Sequence, residues 1–361
     1  MRLLVTGGAG FIGSHYVRTL LAGGYPGYEQ AQVTVLDILS YAGRRENLPA
    51  AHPRLDFVEG DICDLPLLLD LLPGHDAVVH FAAESHVDRS VRSAAEFVRT
   101  NVGGTQTLLE ACLRRDVQRF VHVSTDEVYG SVDAGSWTED AQLLPNSPYA
   151  ASKASSDLIA RAYWRTHGLN VSVTRCSNNY GPFQFPEKLI PLFVTNLLEG
   201  KPVPLYGDGR NVREWLHVDD HCRAVQLVLT GGGAGEIYNV GGGTGHTNLA
   251  LTERLLALCG ADRSMVRHVT DRKGHDLRYA LDDGKIREQL GYEPLIPFAE
   301  GLADTVAWYR DNPGWWKTVQ SAQHTENAPH TDSEQNARPA EGEQSAQPAR
   351  SSRTDEPTTQ L

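Results

Sequence analysis

The chain reads as an α/β protein: a doubly wound parallel sheet with a smaller C-terminal α/β lobe. Three observations predict it. An apolar strand, Arg2 to Thr6, runs directly into Gly7-Gly8-Ala9-Gly10-Phe11-Ile12-Gly13 and then into a helical stretch from Ser14 to about Ala22. Short apolar runs recur at Val33 to Leu36, Leu55 to Val58, Ala77 to Phe81, Phe120 to Val123 and Val171 to Arg175; bounded runs of this length read as buried parallel strands. Residues that carry chemistry follow the ends of these runs, where open α/β sheets hold their ligands. Together these give a Rossmann-type sheet.

The first strand and its loop set the nucleotide end. Gly7, Gly10 and Gly13 allow a tight turn and let backbone N–H groups approach a pyrophosphate at the helix N-terminus. The second strand ends in Asp37. A carboxylate there accepts hydrogen bonds from ribose hydroxyls and repels a 2′-phosphate, so NAD is expected over NADP; the alternative is an Asp that caps a turn. The third strand leads to Asp61 and Ile62, placed to contact the adenine edge. The fourth runs into Ala82-Ala83-Glu84-Ser85, whose small residues permit close approach to a cofactor. Val98 to Leu113 is read as one helix containing Thr100 and Asn101.

The fifth strand delivers Thr125-Asp126-Glu127 just past its carboxyl end, and a helix opens at Tyr149. Tyr149 and Lys153 are four residues apart and share a helical face. An ammonium beside a phenol favours the phenolate. Such a phenolate takes a proton from an alcohol while hydride leaves the same carbon, and the two carboxyl groups add a second acid/base pair. Taken alone, each piece has a bland reading: a surface Tyr/Lys pair and a solvated Asp-Glu turn.

Composition bounds the rest. The 361 residues suffice for two lobes with a sizeable core, and 40% hydrophobic with 22% charged residues is ordinary for a globular chain. A net charge of −12 argues against general nucleic-acid binding. The five cysteines, at 63, 112, 176, 222 and 259, lack metal-ligand spacing, so reduced thiols, no metal site and a cytoplasmic location are expected. No secretory signal precedes the first strand, and no apolar run is long enough to span a bilayer.

Several segments together resemble the extended short-chain dehydrogenase/reductases, and within them the dTDP-glucose 4,6-dehydratase family. They are Thr6 to Gly13, Phe81 to Ser90, Ser124-Thr125-Asp126-Glu127-Val128-Tyr129-Gly130, Tyr149 to Lys153, Cys176 to Pro182 and Pro186-Glu187-Lys188-Leu189-Ile190-Pro191. The resemblance covers roughly residues 1 to 316, and Thr125-Asp126-Glu127 is its most discriminating part, since related epimerases usually carry small residues at the last two positions. It implies that Phe11, Ile12, Ile38, Leu39, Ser40, Phe81, Ala82, Ala83, Ser85, Thr100 and Asn179 join the glycines, Asp37, Asp61, Ile62, Tyr149 and Lys153 around NAD. It implies a sugar-nucleotide site of Glu84, Thr125, Asn178, Lys188, Leu189, Pro204, Leu205, Tyr206, Arg213, Asn248, Asp271, Arg272, His275 and Tyr279. Arg213 suits a diphosphate, which guanidinium grips with two parallel hydrogen bonds.

The implied reaction on dTDP-glucose begins with Tyr149 taking the 4-hydroxyl proton as C4 hydride passes to NAD, with Lys153 and Thr125 assisting. Glu127 then removes the C5 proton, protonated Asp126 donates to the departing 6-hydroxyl, and hydride returns to C6. The rivals are another NAD-dependent sugar-nucleotide epimerase or decarboxylase, and a non-catalytic nucleotide sensor. Lys273 departs from the family, which commonly has proline there; this changes loop stiffness or adds a phosphate contact. Residues 1–180 are expected to be mainly the NAD-binding domain and 181–316 mainly the sugar-nucleotide lobe, with some exchange of chain. Residues 317–361, poor in apolar side chains, are expected to form a disordered tail. The resemblance also implies a homodimer packed through the helices at about 100 to 113 and 150 to 167.

Overall fold

The computed structural model describes residues 1–318; the expected tail lies, from residue 319, outside the described residues. Six parallel strands appear where the apolar runs predict them: β1 (Arg2–Thr6), β2 (Gln32–Asp37), β3 (Leu55–Glu59), β4 (Ala77–His80), β5 (Arg119–Thr125) and β6 (Val171–Cys176). Three more strands follow: β7 (Asn178–Tyr180), β8 (Val203–Tyr206) and β9 (Val212–His217). Then come β10 (Ile237–Val240), β11 (Gly245–Thr247) and β12 (Val266–Val269). The large sheet has the order β10-β6-β5-β4-β1-β2-β3. Its order reverses between β1 and β4, which opens the crevice where such sheets take nucleotides.

Both faces of the sheet are covered. Leu3, Val5, Val33, Val35 and Val121 point into one apolar core with Tyr16, Val225 and Val228. Leu4, Leu36, Val78 and Phe120 point into the other with Leu108, Leu109 and Ala160. This alternation is what a sheet sandwiched between helices requires. A third core of Ile190, Phe193, Trp215, Leu251, Leu302, Tyr309 and Trp316 holds the smaller lobe together. The Val218–Gly231 helix packs on β5 and β6, and β10 joins the edge of the large sheet.

The structure also settles several local details. The first helix starts at Phe11 rather than Ser14, so Gly13 sits within its first turn. The helix expected over 98–113 contains a π-helical stretch, Val98–Gly104, before Thr105–Arg114. Asn178 and Asn179, expected after the end of a strand of the main sheet, form β7 beside β9 in a separate three-stranded sheet. The stretch around Arg213 and Trp215 is strand β9. The last described residues, 313–318, are helical, and buried Trp316 donates its indole N–H to Tyr309 O at 2.8 Å, so residues 317 and 318, expected in the tail, are part of a helix.

Candidate active site

A cleft of about 410 Å³ runs across the carboxyl ends of β1, β2, β4 and β5. Its glycine loop is built for close approach. Gly7 has φ +68°, and a Cβ there would lie 2.5 Å from Ala82 N. A Cβ on Gly13 would lie 2.3 Å from Gly7 O. Asp37 uses both carboxylate oxygens on the loop and its own turn, accepting from Ala9 N–H and Leu39 N–H at 2.9 Å each. Asp61 accepts from Cys63 N–H at 2.8 Å and pairs with Arg99.

The expected cofactor residues Gly7, Gly10, Phe11, Ile12, Gly13, Asp37, Ile38, Ser40, Asp61, Ile62, Phe81, Ala82, Ala83, Ser85, Thr100, Tyr149, Lys153 and Asn179 all line this cleft. Leu39 does not. Its backbone is left-handed, φ 53°, and its side chain packs on the apolar core. Tyr41, Gly43, Arg99 and Gln184 also line the cleft, unannounced by any motif. Gly43 had a signal of its own: a Cβ there would meet Asp37 Oδ1 at 2.5 Å.

The chemistry sits at the far end of the cleft. Thr125 closes β5, and its hydroxyl accepts from Glu127 N–H at 3.3 Å and donates to Asp126 Oδ1 at 3.2 Å. Tyr149 is fixed at the start of the Pro148–His167 helix, which Ser147 caps by accepting from Ala150 N–H at 3.1 Å. One turn later Lys153 donates to Val123 O on β5 at 2.8 Å. Asn101, on the π-helical stretch, exchanges hydrogen bonds with the Glu84 backbone and donates to Ser152 Oγ at 2.9 Å. It thereby ties the loop after β4 to the helix that carries Tyr149; π-turns recur at functional sites.

Electrostatics separates the two carboxyls. Burial raises Asp126 well above the usual carboxylate range, and Glu127 and Glu214 raise it further. Burial also raises Glu127, but Lys188, Arg213 and Arg272 oppose the rise. The environment thus favours the neutral form more strongly at Asp126 than at Glu127. The expected lowering of Tyr149 by Lys153 is not met in this state. Burial pushes the phenol well up, and Glu127, Cys176 and Asp126 add to it, against the Thr125 hydrogen bond. Lys153 is itself lowered by burial to about 8 and is held up by Asp157.

A second cavity of about 200 Å³ continues from Glu127 and Asn178 into the smaller lobe. Lys188, Leu189, Pro204, Leu205, Tyr206, Arg213, Asn248, Arg272 and His275 line it as expected. Glu84 and Thr125 face the first cleft. Asp271 and Tyr279 line neither cavity. Asp271 pairs with His275 at 2.7 Å, while the Tyr279 ring lies 4.2 Å under the Arg213 guanidinium. Both touch residues that do face the cavity. Lys273 is exposed and lines neither cavity, so the phosphate contact considered for it has no support. His86, Asp88, Glu187 and Trp215 were missed. Asp88 holds Arg272 through two hydrogen bonds of 2.5 and 2.9 Å across 184 residues of sequence.

The residues fit a dinucleotide. The glycine cradle leaves no room for a side chain, Asp37 ends β2, and Ser177 Oγ, Asn178 Oδ1 and Asp126 Oδ2 are buried at the cleft without protein partners. Among the described residues no group of three His, Cys, Asp or Glu could hold a metal ion, and no helix is long and apolar enough to cross a membrane. A dinucleotide crevice that ends in a buried Tyr/Lys pair beside two carboxyls defines an extended short-chain dehydrogenase/reductase with a dehydratase-type site.

Comparison with known proteins agrees. The model of the GDP-mannose 4,6 dehydratase family matches residues 4–305. A dTDP-glucose 4,6-dehydratase of Streptomyces niveus is 61% identical, over 91% of this chain and 98% of that protein. The crystal structure of DesIV, a dTDP-glucose 4,6-dehydratase from Streptomyces venezuelae with NAD and dTDP bound, superposes with a TM-score of 0.88 at 66% identity, over 88% of this chain and all of that one. A Thermotoga maritima UDP-glucose 4-epimerase shares the fold with a TM-score of 0.80 at 36% identity, over 87% of this chain and all of that one. The chain belongs to the family of dTDP-glucose 4,6-dehydratases.

Proposed function

We propose that this chain converts dTDP-glucose to dTDP-4-keto-6-deoxyglucose and water, using NAD held in the larger cleft. The observation that carries this reading is the placement of two carboxyls, Asp126 and Glu127, beside Tyr149 at the end of the cleft, with Asp126 pushed up more strongly than its neighbour by burial and by Glu127. An epimerase needs the tyrosine but has no use for such a pair.

Bound NAD supplies a hydride acceptor that is regenerated within the turnover. Tyr149 takes the proton of the sugar 4-hydroxyl, and Thr125 holds the resulting oxygen. Lys153 keeps a positive charge beneath β5. The ketone acidifies C5–H, and Glu127 removes that proton while Asp126 protonates the leaving 6-hydroxyl. Arg213, Arg272 and Lys188 offer the positive charge that a diphosphate requires. Their pull on Glu127 also opposes the rise that burial imposes on that carboxyl.

We further propose a cytoplasmic homodimer. All five cysteines are free thiols, which suits a reducing compartment. Val98 and Leu158, on the helical segments expected to pair, are 55% and 57% exposed. Product analysis on dTDP-glucose tests the function: a 4-keto-6-deoxy sugar nucleotide is expected, and a dTDP-galactose product would move the chain to the epimerases.

A further inference from the structure

The smaller lobe reaches back to the glycine loop through its last described turn. Trp315 donates its indole N–H to Asn47 Oδ1 at 2.9 Å. The other end of the same buried amide, Asn47 Nδ2, donates to Ala9 O in the loop at 2.9 Å. Ala9 O also accepts from Arg44 N–H at 3.0 Å, and Ala9 N–H is the group that Asp37 accepts. An amide has one acceptor end and one donor end. Trp315 can only donate and Ala9 O can only accept, so both partners fix the same orientation of Asn47. The result is a continuous hydrogen-bonded line, Trp315–Asn47–Ala9–Asp37, that ends on the carboxylate read as the ribose contact.

The flanks hold this line in place. Arg18 donates to Asn47 O at 2.6 Å and stacks on Phe183 at 4.1 Å. Phe183, at φ 67°, is in a backbone region that aromatic residues rarely adopt. There its ring packs on Trp308 and Trp315 at 4.6 and 5.6 Å. Strain of this kind persists only where surrounding contacts over-determine it.

We infer that Trp315 and Asn47 form a latch that positions the glycine loop and sets how slowly the cofactor leaves. The inference rests on the reading that the cleft holds NAD. An enzyme that regenerates its cofactor at each turnover gains from slow release. A latch intact when the loop is closed and broken when it opens stabilises only the closed state, which lowers the release rate. Neither residue lines the cleft, so the effect reaches the cofactor through the backbone of Ala9.

The test loads the full-length enzyme with NADH, displaces it with excess NAD, and follows the loss of NADH emission. Trp315→Phe keeps the ring stack and removes the N–H. A net hydrogen bond of ordinary strength then gives release about five-fold faster, with association rate and first hydride transfer unchanged. Asn47→Ser breaks the line at its middle and should speed release as well. In the Asn47→Ser background, Trp315→Phe should add nothing, which a merely structural tryptophan would not reproduce. Unchanged release in Trp315→Phe, or two effects that multiply, overturns the latch while leaving the NAD reading intact. Failure of the wild-type enzyme to bind NADH overturns both.

Discussion

Asp157→Asn is the substitution whose consequence the structure defines most sharply. Asp157 is fully buried one helical turn beyond Lys153. It accepts from Arg175 Nε at 2.8 Å, and His122 Nε2 lies 3.3 Å away. Arg175, also buried, donates to Tyr129 Oη at 2.8 Å. Burial alone would raise the Asp157 carboxyl, but Arg175, His122 and Lys153 reverse this and bring it from 3.8 to about 2. That drop is worth about 2 kcal/mol of stability at neutral pH.

The asparagine variant loses this and leaves Arg175 buried without its counter-charge, so a total cost of about 3–5 kcal/mol is expected. The assay is denaturant unfolding of wild type and variant across pH. Because the folded carboxyl is more acidic than the unfolded one, its contribution is present above about pH 3.8 and is lost as pH falls through about 2. The gap between the two proteins should therefore be full at pH 7 and narrow between pH 4 and 2. Replacing the pair together, Asp157→Leu with Arg175→Met, should recover most of the loss, since two apolar side chains leave no unpaired charge. The same variant removes the charge that holds Lys153 up, so the alkaline limit of the first hydride transfer should move to lower pH in Asp157→Asn. A cost below about 1 kcal/mol at pH 7 would refute the assignment of a buried, mutually dependent ion pair.

Two further outcomes are expected. Asp37→Ala should abolish the preference for NAD over NADP in equilibrium binding; a preference equal to wild type would show that the ribose contact lies elsewhere. Tyr149→Phe should slow the first hydride transfer by ~10²–10⁴-fold in single-turnover NADH absorbance, the usual cost of a lost general base, and a wild-type rate would remove Tyr149 from that step.

Much of this site is legible because its parts are local strings. Gly7 to Gly13, Thr125 to Glu127 and Tyr149 to Lys153 each follow a strand or open a helix, so element order alone brings them to one sheet edge. What escapes the sequence depends on distance or on competition. Nothing in the string pairs Asp88 with Arg272, or Trp315 with Asn47, because each pair is joined only by the packing of one lobe on the other. Leu39 sits between two residues that line the cleft, and its left-handed backbone turns it away. Asp271 and Tyr279, which the resemblance places in the sugar-nucleotide site, line neither cavity and instead touch His275 and Arg213. The titration of Tyr149 was misjudged because helical spacing announces Lys153 but not the burial and the two carboxyls that outweigh it. Lys153 spends its nearest hydrogen bond on Val123 O instead.

The central claim is that oxidation at C4 and elimination across C5 and C6 are carried by different side chains of one site. It is tested by mixing NAD-loaded Asp126→Asn and Glu127→Gln with dTDP-glucose in a single turnover, while NADH absorbance and product are followed together. Each change is nearly isosteric. The account predicts that both variants still reduce NAD while 4-keto-6-deoxy product falls by ~10²–10⁴-fold, and that Glu127→Gln loses solvent-deuterium incorporation at C5. Product formation at wild-type rates in both variants would contradict it.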